Sequence, residues 1–309
     1  MNAILRINLR RHLINAASKF LMLSLLIINV TCNKKNPSSS ENQECPARSW
    51  RAVDDLSHDC EPYESDNFRI YSNASSMEAK QELANLCEEV FLELKTVFEV
   101  VNHDELEMDD KFEVYSIKDF TPEWGTGHAH YNGFLVAGID SWHYRRWYHS
   151  NRTMYKTTVK HEMTHVFQNR LCGRWIPVWF AEGLAEYLGG TVNNRPVRTI
   201  CGMPITTRSS FCIWRALEHK NPVTIHYSSD YPDTSVEGYA QYYPMFYLVM
   251  AYLLDPNGHG KTLHDIKLIF QDLKNSHSQT TFDAVFENRM GMSVQYYEEH
   301  FYELMEAYL

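Results

Sequence analysis

The apolar residues of this chain recur with two different periods, and the change of period divides it. In DNFRIYS (66–72) apolar and polar positions alternate, which is the two-residue period of a half-buried strand. The segment MEAKQELANLCEEVFLELKTVFEVV (77–101) instead spaces Leu83, Leu86, Val90, Leu94 and Val97 three or four apart, and predicts an amphipathic helix. KFEVYSI (111–117) and FLVAGID (134–140) predict two more strands, and TPEWGTGHAHYNG (121–133) between them reads as a loop rich in glycine and aromatics. From Thr153 the pattern turns helical through TMYKTTVKHEMTHVFQNRL and stops at Gly173. A second helix starts at Pro177 and continues through VWFAEGLAEYL to a stop at Gly189 and Gly190. Further helices are predicted at SSFCIWRALEH (209–219), around YPMFYLVMAYLL (243–254), at LHDIKLIFQDL (263–273) and through SVQYYEEHFYELMEAYL (293–309). No internal repeat or long linker interrupts this order. The expectation is an α+β fold whose strand-containing part, 65–152, precedes a mostly helical part, 153–309.

The N-terminal region has another character. MNAILRINLRRHLINAASKF holds four basic residues and no acidic ones, then runs into the apolar LMLSLLIINV, the layout of a signal peptide over 1–31. That apolar run is shorter than the roughly 20 residues a membrane-spanning helix needs. NVTCNKKNPSSSENQ resembles the lipobox region of bacterial lipoproteins, which would make Cys32 a lipidated membrane anchor, although Asn29 and Thr31 depart from the usual residues. The alternative is a secreted protein cut near the same place. Residues 32–64 then form an anchored or flexible tether. Seven cysteines less Cys32 leave Cys45, Cys60, Cys87, Cys172, Cys201 and Cys212, an even number that suits three disulfides in an exported chain. Buried free thiols are the competing reading. Loss of 1–31 removes four positive charges and takes the formal net charge from −10 to −14. With no basic run after the N-terminus, nucleic acid is excluded as a partner, and a monomer is expected.

The candidate chemistry lies in VKHEMTH (159–165). On a helix, His161 and His165 fall one turn apart on one face and can grip a single metal ion. Glu162, about 100° around the axis, can lie beside that ion and serve as general base toward a water. Composition alone produces such a pattern in roughly one comparable chain in seventeen. Two histidines are also one ligand short of a catalytic zinc site. The next helix supplies Glu182 as a third ligand, with Glu186 one turn further on, placed to accept a hydrogen bond from a ligating imidazole.

HEMTHVFQNRLCGRWIPVWFAEGLAEY resembles the gluzincin metallopeptidases, and within them the peptidase MA-like group with its Glu-Gly-Leu-Ala-Glu-Tyr element. The resemblance extends from about residue 66 to a closing segment, 282–309, that looks like the helical tail of that group. It implies a zincin-like fold, one Zn2+ held by His161, His165 and Glu182, Glu162 as base, and a peptide or protein substrate. It implies as well an edge strand above the metal helix that pairs with substrate, for which GFLVAGID (133–140) is the candidate, an interior strand being the alternative. In GYAQYYPMFYLV, Tyr239 matches a family tyrosine that would stabilise the oxyanion, although Pro244 departs from the pattern by breaking or restarting the helix. His128, His130 and His143 cluster near the proposed edge strand and could shape a subsite or bind a second metal, but are read as surface or loop residues. A missing Gly-x-Met-x-Asn segment favours an endopeptidase over an aminopeptidase. Two other readings stand beside this one: a non-catalytic exported lipoprotein that uses a zincin scaffold as a binding module, and a hydrolase of another exported polymer such as a cell-wall peptide.

Overall fold

The alternating segments do pair into one sheet. In this computed structural model the described residues are 62–309 apart from 73–74, 109, 118–126, 148–149, 190, 193–194, 197–198, 201–202, 205–210, 213, 216–218, 233–241 and 276–280. The signal peptide, Cys32 and most of the tether lie outside them. Strands β1 (Tyr63–Glu64), β2 (Phe68–Ser72), β3 (Phe112–Ile117), β4 (Gly127–His130) and β5 (Gly133–Ala137) are ordered β1-β2-β3-β5-β4. β2, β3 and β5 run parallel, while β1 and β4 close the two sides antiparallel. Alternation along the strands sends Phe68, Ile70, Phe112, Val114, Phe134 and Val136 into the main core and Tyr71, Tyr115, Leu135 and Ala137 to the opposite face.

Two expectations need correction here. GFLVAGID is not the edge of the sheet: β5 is paired on both sides, and the edge is β4, from within the segment read as a loop. Four residues are too short for a period to show, and β4 exists because a hairpin through Tyr131 and Asn132 folds it back onto β5. The cysteine arithmetic does not yield three disulfides either. Cys87, Cys172 and Cys212 are free thiols, the first two buried, while Cys45, Cys60 and Cys201 lie outside the described residues. Burial pushes the Cys172 thiol up to about 11 and that of Cys87 upward too, as suits inert core residues.

Helix α1 (Met77–Val97) joins β2 to β3 and is capped by the Ser76 hydroxyl, which accepts from the Ala79 N–H at 3.2 Å. A short α2 (Trp142–Trp147), not predicted, follows β5. The longest helix of the C-terminal half is α3 (Arg152–Cys172); Asn151 caps its start, and Gly173 closes it in the left-handed conformation at φ 61°. Then come α4 (Val178–Gly189), α5 (Tyr243–Leu254), α6 (Leu263–Asn275), α7 (Phe282–Met290) and α8 (Val294–Tyr308). Pro244 sits in the first turn of α5, where a proline costs no hydrogen bond, so it starts this helix rather than breaking one. Of SSFCIWRALEH, only part lies within the described residues. Helix α3 is the hub, packed against α1, α4, α6, β4 and β5, with Phe167 ring-stacked on Phe98 at 5.6 Å. Among the described residues no helix is long and apolar enough to cross a membrane.

Candidate metal centre

The buried stripe of α3 runs through Tyr155, Val159, Met163, Val166, Phe167 and Leu171, and Glu162 falls on it. A carboxylate at a core position of an otherwise apolar stripe is costly, and nothing in helix formation asks for it. His161 and His165 flank the stripe, their rings 4.9 Å apart.

Helix α4 approaches α3 at an unusually short distance. A Cβ at Gly189 would stand 2.7 Å from the Thr157 carbonyl oxygen and 2.8 Å from the His161 nitrogen. One at Gly183 would stand 2.8 Å from the Phe246 carbonyl oxygen of α5. Only glycine permits both approaches. They bring Glu182 against the histidines: its Oε2 lies 3.3 Å from His161 Nε2 and 3.4 Å from His165 Nε2, and the two Nε2 atoms are 3.2 Å apart. His161, His165 and Glu182 are the one group of metal-ligating side chains that converges in this way among the described residues.

The outer ring nitrogens decide where the protons are. Glu186, 1% exposed, holds Oε1 3.2 Å from His161 Nδ1, and a carboxylate only accepts. Gln168 donates its amide to the Ala181 carbonyl at 2.8 Å, which turns its Oε1 toward His165 Nδ1 at 2.9 Å. Both imidazoles therefore carry hydrogen on Nδ1 and turn Nε2 toward a common point. The buried Glu182 Oε2 faces the same point and has no hydrogen-bond donor. Three such atoms facing one point favour a positive charge between them, whether a proton or a metal ion. Donors about 2.0–2.1 Å from a tetrahedral zinc stand about 3.3–3.4 Å apart, so this triangle fits such an ion.

The field of the site favours positive charge. Burial opposes an imidazolium at His161, but Glu182 and Glu186 outweigh it and push the group up to about 10. His165 is raised in the same way by Glu182, against burial. Glu182 is held far below the carboxylate range, since His165 and His161 overcome the effect of its burial. Glu162 moves the other way: burial raises it, and among the described residues nothing hydrogen-bonds its carboxylate. That is the condition of a base able to take and return a proton.

Tyr239 lies outside the described residues. The tyrosine brought to the centre is Tyr243, whose ring lies 6.2 Å from that of His161 and whose hydroxyl burial and the field of Glu182 push well above its ordinary value. Sequence reasoning missed Tyr243 because nothing local separates it from the other 18 of 19 tyrosines. It missed Gln168 as well, although position i+3 from His165 on the same helix face is a usable signal. Arg170 was missed too. It donates to the carbonyls of Glu107 and Tyr131, both at 2.8 Å, and to Asn132 Oδ1 at 2.7 Å, which pins the β4–β5 hairpin to helix α3. His128 and His130 lie on that edge strand, while the side chain of His143 is outside the described set. Neither a family model, nor a curated protein, nor a solved structure matches this chain.

Proposed function

We propose that this protein is a zinc-dependent endopeptidase of the gluzincin type, with a zincin-like fold, exported and anchored through a lipidated Cys32. The observation that carries the reading is the triangle of His161 Nε2, His165 Nε2 and Glu182 Oε2, three possible ligand atoms within 3.2–3.4 Å of one another, beside a buried Glu162. His161, His165 and Glu182 hold the ion, while Glu186 and Gln168 fix the two rings. Zinc bound there supplies Lewis acidity, which polarises a carbonyl and makes water a stronger acid. Glu162 takes a proton from the attacking water, whose oxygen bonds to the scissile carbonyl carbon. As the C–N bond breaks, Glu162 delivers that proton to the leaving amine. A tyrosine hydroxyl stabilises the oxyanion, that of Tyr239 by the resemblance or that of Tyr243 by its place beside His161. The open side of β4 offers backbone groups to an extended peptide.

The test combines zinc content with cleavage of a peptide library. His161→Ala and Glu182→Ala are expected to lose the metal. Glu162→Gln is expected to keep metal and fold while activity falls by about 10²–10⁴. A fully active Glu162→Gln variant rules the scheme out. Stoichiometric zinc with no peptide cleaved points instead to a non-catalytic binding module.

A further inference from the structure

Arg170 is a charged residue in a place that packing alone would fill with an apolar one. It is 8% exposed, in the last turn of α3, and its Cζ lies 3.9 Å from the centre of the Tyr131 ring and 5.5 Å from that of Phe112. Burying such a cation is costly, and an apolar side chain would fasten the same surfaces at less cost. What the guanidinium adds is direction. Its Nε and Nη1 donate to the carbonyls of Tyr131 and Glu107 and its Nη2 to Asn132 Oδ1, three bonds set by one rigid plane. Glu107 is held in turn, since its carboxylate accepts from the Tyr131 hydroxyl at 2.7 Å and pairs with Lys274 of α6 at 2.8 Å. Lys274 also donates to the Arg170 carbonyl at 2.9 Å. The turn between β4 and β5 is therefore fixed in height and in register against α3.

The other end of the hairpin is fixed as well. The hydroxyl of Tyr155, near the start of α3, donates to the carbonyl of Ala137, the last residue of β5. β4 runs beside β5 between these two points, Gly127 opposite Val136 and His130 opposite Gly133, and both strands pack on α3. His161 and His165 stand on α3 between Tyr155 and Arg170. The hairpin is thus hung at both ends along the stretch of helix that carries two of the three candidate ligands. A slip of β4 by one residue would carry a peptide paired with it about 3.3 Å along that helix.

We propose that Arg170 is a positioning residue for an extended peptide substrate: it sets β4 so that a peptide paired along the strand's four residues presents its cut bond to the ion. This rests on the peptidase reading above. The three bonds of the guanidinium go to the hairpin and to the Glu107 turn, not to the candidate ligands, so their loss acts on the binding of peptides that lie along β4 and leaves the chemical step intact.

The test uses the zinc-loaded full chain and a fluorogenic peptide, taken from the best cut site and long enough to span β4. Arg170→Lys keeps the charge but not the fork, and is expected to raise KM at least about tenfold with kcat within about threefold of the parent. Zinc content is expected to be unchanged, and so is inhibition by acetohydroxamate, a chelator too small to reach β4. Asn132→Ala removes one of the three bonds and is expected to raise KM about threefold; it decides the matter if Arg170→Lys does not fold. A parental KM in the folded variants overturns the positioning role and leaves the peptidase reading standing. So does a loss of kcat, zinc and acetohydroxamate inhibition together with KM, which is what general loosening of the fold would give. A zinc-loaded parent protein that cleaves no peptide overturns both.

Discussion

Helix α3 carries charge on two sides, and the two sides are built differently. Against α1, Lys156 bridges Glu89 and Glu93, Lys160 meets Glu93 at 3.1 Å, and Arg152 meets Glu89 at 3.0 Å. Three cations here neutralise two carboxylates, and their side chains keep 20–44% of their exposure, where ion pairs contribute little. Against α4 the same helix gathers Glu162, Glu182 and Glu186 around two imidazoles, with Glu162 and Glu186 5% and 1% exposed. A cluster that neutralises itself only fastens two helices together. One that buries carboxylates around two imidazoles concentrates negative charge that a bound cation would offset.

The contrast can be broken in order of size. Removing zinc by chelation acts on the α4 side alone. Relative to protein in zinc a thousandfold above its dissociation constant, linkage predicts a loss of about 4 kcal/mol, read by calorimetry as a fall of about 10 °C for a domain of this size. A melting temperature that ignores zinc would place the carboxylate excess elsewhere. Next comes Gly189→Ala, which drives a methyl group into the backbone at Thr157 and His161. It is expected to cost about 3 kcal/mol in urea denaturation and, by moving α4 away, to weaken zinc binding. A variant as stable as the parent with normal metal content would show that the close approach is dispensable.

Smaller effects separate orientation from ligation. Glu186→Gln keeps the shape of the side chain but loses its charge at His161 Nδ1, and zinc affinity is expected to fall about 10- to 100-fold by competition with a chromophoric chelator. Gln168→Ala, acting at His165, belongs in the same range. If either variant binds zinc like the parent, the ring is fixed by other contacts. The smallest change is Lys156→Ala on the α1 side, expected to cost less than about 1 kcal/mol at pH 7. Glu89 is held below its ordinary 4.5 chiefly by Lys156, and Glu93 is lowered by Lys156 and Lys160 in spite of burial. A depressed carboxylate stabilises above its unfolded value and loses that contribution as pH falls through the folded one. The difference between Lys156→Ala and parent should therefore hold above about pH 5 and vanish as the medium grows more acidic. A difference that grows on acidification would contradict the assignment.

How much of this was legible depended on range along the chain. The helices with strong periodicity, Met77–Val97, Arg152–Cys172, Val178–Gly189 and Leu263–Asn275, appear close to where their apolar residues put them. Tyr63–Glu64, Gly127–His130 and Trp142–Trp147 were not foreseen, because two to six residues hold less than one useful period. Of the centre, His161, Glu162 and His165 could be read because residues four apart share a face in any helix. Glu182 and Glu186 could be read because the second helix has the same period and a resemblance supplied its meaning.

The sequence by itself thus determined the local order of the site: which residues share a helix face, and which of them can ligate, accept or take a proton. The tertiary structure alone decided that β4 rather than β5 forms the edge, that Tyr243 reaches His161, that Gln168 sets the His165 tautomer, and that glycines 183 and 189 let three helices close on one point. The reason is physical. A helix face is set by backbone geometry within one turn, whereas edge pairing, ring contacts and helix approach join residues far apart in sequence, and no local period records them.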